Sequence, residues 1–265
     1  MYSKWRIANK YVNYYLSAKN GKGHGMHSPF VFNFINNVLN DKREYYCFNQ
    51  IEQLRQELKT DRSVLQIQDF GAGSRVTSSN TRPVASIAKT AVKPRKYSQL
   101  FFRLAHHFKA RNILELGTSL GITTSYLASA SPACNVITHE GAAEVAEKAK
   151  ANFKKLGLNN INLVVGNFDS TLGTSLASLN TIDLAYVDGN HRKAPTLNYF
   201  DLLLNKSHDN TVLVFDDIHW SREMEEAWSI IKQHNRVTTT IDLFFIGLVF
   251  FRKENKEQQH FSVRY

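Results

Sequence analysis

Cysteine and proline are scarce in this 265-residue chain, with two of the first and five of the second. Cys47 and Cys134 lie far apart in unrelated surroundings, which excludes a disulfide framework and a cysteine metal cluster. Nowhere do about 18 uncharged apolar residues run together, so a membrane-spanning helix is not expected. The most apolar stretch, "IDLFFIGLVFF", is too short, carries Asp242, and reads as buried strand. The opening "MYSKWRIANKYVNYYL" has a charge every few residues and lacks the apolar core of a signal peptide. These absences leave a reduced, cytoplasmic enzyme without a membrane partner as the expectation.

Acids are also scarce, but only in the first part of the chain. Residues 1–111 hold 19 Lys and Arg against 6 Asp and Glu, a balance of +13, whereas the remaining 154 hold 14 against 17, or −3. Between Asp61 and Arg111 the only acids are Asp61 and Asp69. A basic N-terminal part suits an anionic substrate or partner, and equally a solvated basic face.

What is present is a hydrophobic fraction of 43%, ample for a buried core. From Arg111 onward, short apolar runs alternate with amphipathic ones, the pattern of successive βα units on a parallel sheet. The spacing predicts strands at 112–116, 135–140, 161–166, 182–188 and 211–217. Helices are expected between and after them, at about 121–130, 143–156, 170–179, 194–205 and 220–234. Two further runs, 237–243 and 247–253, are joined too tightly for a crossover and must be antiparallel. The expected fold is therefore α/β, a doubly wound, Rossmann-like sheet of seven strands, mostly parallel with an antiparallel hairpin. The tail "HFSVRY" offers a further edge strand.

Residues 1–97 read as a basic helical extension ahead of the domain at 98–265. Helices are expected at about 3–18, 28–40, 50–59 and 98–109. Ser28 with Pro29, and Ser98, stand as start signals. The Arg-, Lys-, Ser- and Thr-rich segment 75–97 reads as a weakly packed lid.

Two glycine motifs compete for a ligand. "DFGAGSR", residues 69–75, follows a weak strand and is followed by no helical periodicity, so it reads as a turn opening a loop. "ELGTSLG" (Glu115, Gly117, Thr118, Ser119 and Gly121 among its members) joins a strand to a helix. Neither has the G-x-G-x-x-G spacing of a dinucleotide loop. The second has an acid at a strand end suited to an amino group, and glycines that admit a bulky ligand. About 20 residues on, Glu140 ends the next strand where a ribose-binding acid belongs.

Glu115-x-Gly117-x-x-x-Gly121, then Glu140, then "GNFD" (Gly166 to Asp169), resembles the cofactor motifs of class I S-adenosylmethionine-dependent methyltransferases over about residues 98–253. The resemblance implies that Gly117 and Gly121 lie against the methionine part of S-adenosylmethionine. It also implies that Glu140 binds the ribose hydroxyls, and that Asn167, Phe168 or Asp169 flanks the adenine.

Two later stretches carry acids to strand ends: "YVDGNHRK" with Asp188, and "VFDDIHW" with Asp216 and Asp217. Crowded carboxylates repel unless a cation sits among them, and oxygen ligands suit Mg²⁺, with Mn²⁺ or Ca²⁺ as alternatives. The arrangement is similar to the metal-dependent O-methyltransferases acting on catechols, caffeoyl-coenzyme A and sugars. That resemblance implies Asp188, Asp216 and Asp217 as metal ligands, Asp188 also bordering the cofactor, and His191 as general base, with His219 a second candidate. Asp217 replaces the usual Asn, and His191 the usual Lys. His24, His27, His106, His107 and His139 have no such company and read as structural. The expected activity is O-methylation of a small hydroxylated substrate, on which an anionic group would suit the basic N-terminal part. RNA methylation at a hydroxylated tRNA base and a non-catalytic cofactor-binding protein are the alternatives, and a homodimer remains open.

Overall fold

The computed structural model describes residues 1–19, 21–23, 27–67, 81–254 and 257–265. The rival motif at 69–75, the first part of the expected lid and His24 lie outside the described residues. In chain order the elements begin with helices α1 (Lys4–Ser17), α2 (Pro29–Phe34), which runs into a π-helical turn at Ile35–Leu39, and α3 (Phe48–Thr60). Strands β1 (Val64–Gln66) and β2 (Thr81–Pro83) follow, then α4 (Val84–Thr90) and α5 (Arg95–His107). The alternating part is β3 (Asn112–Leu116), α6 (Ile122–Ala128), β4 (Asn135–Glu140), α7 (Ala143–Lys155), β5 (Ile161–Val165) and α8 (Phe168–Ala177). It continues through β6 (Ile182–Val187), α9 (Lys193–Leu204), β7 (Ser207–Asp216) and α10 (Arg222–Gln233). Last come β8 (Thr239–Asp242), β9 (Ile246–Phe250) and β10 (Gln259–Ser262). No described helix is long and apolar enough to cross a membrane.

The chain forms two compact units, residues 42–180, and residues 1–41 with 181–265. Residues 42–97, expected to belong with the N-terminal extension, thus share a unit with 98–180. In that unit β3, β4 and β5 run parallel in that order, with Ile113 opposite Val136 and Val136 opposite Ile161. The apolar residues of β3 are fully buried, as the unbroken run "NILEL" requires of a strand covered on both faces. In the other unit the order is β6-β7-β9-β8-β10. There β6 and β7 are parallel, β9 is antiparallel to both β7 and β8, and β10 is parallel to β8. The short link between β8 and β9 forces the antiparallel pairing, as expected. The tail does add an edge strand, so that among the described residues the two units hold three and five of these strands, besides the β1–β2 ribbon.

The expected lid is not weakly packed where it is described. Residues 81–83 pair with β1, and α4 buries Val84, Ile87 and Ala88. Those residues have the i, i+3, i+4 spacing of one helix face, a short signal hidden among the surrounding basic residues. Helix α5 also starts earlier than Ser98, at Arg95 after Pro94. Ser98 is buried within the helix, where its hydroxyl accepts a hydrogen bond from the buried Arg55 guanidinium at 3.2 Å. Ser28 caps α2 as expected, and Ser3, Asn167 and Ser221 likewise each accept a backbone N–H at a helix start.

Candidate functional site

The turn after β3 is held open by three residues of positive φ: Gly117 (104°), Ser119 (49°) and Gly121 (79°). The N–H groups of Gly117 and Thr118 both donate to the carbonyl of His139 at 3.0 Å, which ties the turn to the adjacent strand β4. Glu140, ending β4, accepts from the backbone N–H of Ser119 at 2.8 Å through one oxygen and from that of Ala142 at 3.0 Å through the other. A carboxylate has about four lone-pair sites, so one fixed this way at the rim of the turn can also accept from two hydroxyls. This is the place expected for a ribose ligand.

Glu115, expected to meet an amino group, sits near the end of β3. It is fully buried and accepts from the hydroxyls of Thr138, at 2.7 Å, and Thr124. Thr118 bonds Thr138 in turn at 2.6 Å. Here Glu115 and Thr118 shape the turn from below. Gly121 is likewise explained by packing. A Cβ there would lie 2.8 Å from Cζ of Phe153 on α7, closer still to its Cε1, and 3.3 Å from Cβ of Ala149. The close approach of α7 to the start of α6 takes up the space its missing side chain leaves.

The "GNFD" stretch begins α8. Gly166 donates its N–H to the Glu140 carbonyl at 2.9 Å, Asn167 caps the helix through Asp169, and Asp169 is exposed in the first turn. Phe168 is half-buried, its ring edge-on to His139 at 6.3 Å between centroids. His139 is fully buried, with Nδ1 2.9 Å from the Thr171 hydroxyl, and burial pushes its pKa down to about 4. It is a neutral structural imidazole, as the sequence suggested.

The second constellation lies in the other unit. Asp188 follows β6, and its Oδ2 accepts from the Tyr186 hydroxyl at 2.8 Å. His191 comes back toward it through a left-handed turn, with Asn190 at φ 65° and His191 at φ 40°, and places Nε2 3.3 Å from Asp188 Oδ1. Asp216 ends the adjacent parallel strand β7 and is buried, 1% exposed. Asp188, His191 and Asp216 each bring one donor atom within 4.8 Å of the others.

The expected set was Asp188, Asp216 and Asp217, with His191 apart as base. Among the described residues the convergent set contains His191 and omits Asp217. Asp217 has φ 52° and is half-exposed, its carbonyl accepting the Trp220 N–H at 2.9 Å. Its left-handed backbone turns the chain away at the strand end.

His219, the second candidate base, is not among those three. Its Nδ1 lies 3.1 Å from Glu225 Oε1 and its Nε2 2.8 Å from Asp242 Oδ2, while the ring stacks on Phe244. Burial favours the neutral ring, but the two carboxylates outweigh it and hold the pKa above the usual histidine value. Glu225 in turn accepts from the Tyr2 hydroxyl and from Lys10 of α1, at 2.8 Å each. The sequence could not reveal this network, because its bonded pairs lie up to 223 positions apart.

Mostly parallel strands bearing a glycine turn and acids at their carboxyl ends are the features of a Rossmann-like α/β sheet. Residues 114–218 match the family model described as a methyltransferase domain. A methyltransferase of Podospora anserina solved with S-adenosylhomocysteine shares the fold at a TM-score of 0.58 and 12% identity, over 96% of this chain and 98% of that one. The O-methyltransferase of Bacillus cereus, in complex with the same molecule, does so at 0.54 and 20%, over 83% and 97%. Among curated proteins, the chain is similar to a catechol O-methyltransferase of Mycobacterium tuberculosis, 31% identical over 117 residues, 43% of this chain and 51% of that protein. A tRNA (guanine-N(7)-)-methyltransferase of Mycoplasma mobile is 32% identical over 117 residues, 42% and 56%. The chain thus spans about half the length of the curated relatives it matches.

Proposed function

We propose that this protein transfers the methyl group of S-adenosylmethionine to a hydroxyl oxygen of a small molecule, assisted by a divalent cation held at Asp188 and Asp216. The observation that carries the reading is the convergence of Asp188, His191 and Asp216 at the ends of two adjacent parallel strands. A buried carboxylate with a second one beside it is costly without a positive charge between them, and this donor set fits a divalent ion. When bound, such an ion supplies positive charge that orients two substrate oxygens and lowers the pKa of a hydroxyl.

The chain's own residues do the rest. Glu140, fixed by Ser119 and Ala142, holds the ribose hydroxyls, and the Gly117–Gly121 turn leaves room beside them. Tyr186 keeps the Asp188 carboxylate oriented. In the reaction the hydroxyl proton leaves to solvent, the oxygen attacks the methyl carbon, and the carbon–sulfur bond breaks to release S-adenosylhomocysteine. The basic excess of residues 1–111 suits an anionic group on the acceptor.

The similarity to a tRNA guanine-N7 enzyme favours a second reading. Guanine N7 is already a lone-pair nucleophile with no proton to lose, so that chemistry would leave the Asp188–His191–Asp216 cluster idle. Labelled S-adenosylmethionine, offered with catechols, hydroxylated acids and tRNA in parallel, separates the two. We expect label in a small molecule, suppressed by EDTA and by Asp188→Asn. Label in tRNA alone overturns the proposal. In calorimetry, Glu140→Ala should weaken S-adenosylhomocysteine binding about 10- to 100-fold, the worth of a charge-assisted hydrogen-bond pair.

A further inference from the structure

We infer that His191 is a metal ligand and that its imidazole makes the site select a borderline first-row transition ion, of the Mn²⁺ to Zn²⁺ series, over Mg²⁺ and Ca²⁺. The inference rests on the reading that Asp188 and Asp216 hold a cation, and it changes the part expected of His191.

The geometry is that of a coordination edge. An ion bound about 2.0–2.2 Å from nitrogen and carboxylate oxygen sets neighbouring donors about 3.0–3.4 Å apart. His191 Nε2 and Asp188 Oδ1 are 3.3 Å apart. With that pair 3.3 Å apart and an ion about 2.1 Å from each donor, a third donor lies at most about 3.8 Å from both, so Asp216, within 4.8 Å of both, has to draw in by no more than about 1 Å. The Asp188 carboxylate is braced from one side, since Tyr186 occupies Oδ2 at 2.8 Å and leaves Oδ1 on the side of His191. Metal-binding carboxylates and imidazoles characteristically have such an outer partner to set their orientation.

Donor chemistry then decides the ion. Mg²⁺ and Ca²⁺ are hard cations that take oxygen ligands, and Mg²⁺ keeps several waters. An imidazole nitrogen adds little for them but strengthens binding of Mn²⁺, Fe²⁺, Co²⁺ and Zn²⁺, which accept mixed nitrogen and oxygen sets. A nitrogen bound to an ion has no lone pair left for a proton. His191 therefore positions the ion and leaves the role of base.

Direct titration of the full chain with Mg²⁺ and with Co²⁺, by calorimetry without substrate, tests this. Co²⁺ should bind at least about tenfold more tightly than Mg²⁺, and His191→Ala should abolish most of that difference while changing Mg²⁺ affinity little. A measurement on the unaltered protein guards against misfolding of the variant: pulsed electron paramagnetic resonance of the Mn²⁺-loaded wild type should show coupling to an imidazole nitrogen. Equal affinity for the two ions, or Mn²⁺ without nitrogen coupling, overturns the assignment of His191 and returns it to the base role. If neither ion binds the wild type, the cation reading of Asp188 and Asp216 falls, and this inference falls with it.

Discussion

Replacing Gly121 by alanine asks whether that glycine makes room for a ligand or for a helix. Its φ of 79° lies in the left-handed region, which costs an alanine about 1 kcal/mol. The new methyl would also press on Phe153, 2.8 Å from Cζ and closer to Cε1, where α7 is firmly packed and Phe153 itself is buried. Overpacking of this kind costs about 1–3 kcal/mol, so a total loss of about 2–4 kcal/mol is expected. Phe153→Leu removes the ring that the methyl meets. The two substitutions should therefore couple, the double variant being about 1–2 kcal/mol more stable than the sum of the single losses predicts. Urea unfolding of the four proteins measures this, with S-adenosylhomocysteine titrated into each. Simple additivity would refute the packing argument. A Gly121→Ala protein of wild-type stability that no longer binds the cofactor would show that the ligand, not Phe153, demands the glycine.

Two further predictions concern the buried His139 and the half-buried His219. His139 has its folded pKa pushed from 6.5 to about 4, so stability is fully present above pH 6.5 and falls as pH drops toward 4, by about 1.4 kcal/mol per unit. Urea midpoints measured from pH 7.5 to pH 4 should drop more steeply for wild type than for His139→Gln, and parallel curves would count against the burial argument. His219 is shifted the other way, so its contribution is fully present below pH 6.5 and is lost as pH rises through its raised folded value. His219→Gln should flatten the decline of Tm above pH 6.5 while leaving methyl transfer near wild type. A variant that keeps its fold but loses turnover would restore His219 as a catalytic candidate.

Much of this fold was legible because period and punctuation agree from residue 111 onward. Apolar runs such as "NILEL" and "VITHE", separated by amphipathic stretches, admit only parallel βα units, and β3, β4 and β6 begin and end within a residue of where the runs do. The basic part before residue 97 was harder, because charge density obscures a face as small as Val84, Ile87 and Ala88. Only contact with the rest of the fold reveals that these three residues are enough to dock a two-turn helix.

The candidate site shows a sharper limit. Asp188, Asp216 and Glu140 could be read as acids at the ends of strands, because the end of an apolar run is a one-dimensional feature. Which neighbour of such an acid shares its chemistry is not. Asp216 and Asp217 are adjacent, yet the first is buried at the end of β7 and the second, at φ 52°, turns out of the convergent set. His191 and His219 both follow a strand-end acid by two or three residues. One reaches back through two left-handed residues to lie 3.3 Å from Asp188, and the other is taken by Glu225 and Asp242, a helix and a strand away. A left-handed φ on a non-glycine residue leaves almost no mark in the sequence. Three such residues, Asn190, His191 and Asp217, decide which side chains meet at the candidate metal centre. Mutations at Asn190 that forbid its left-handed conformation should therefore unseat His191 without touching any donor atom.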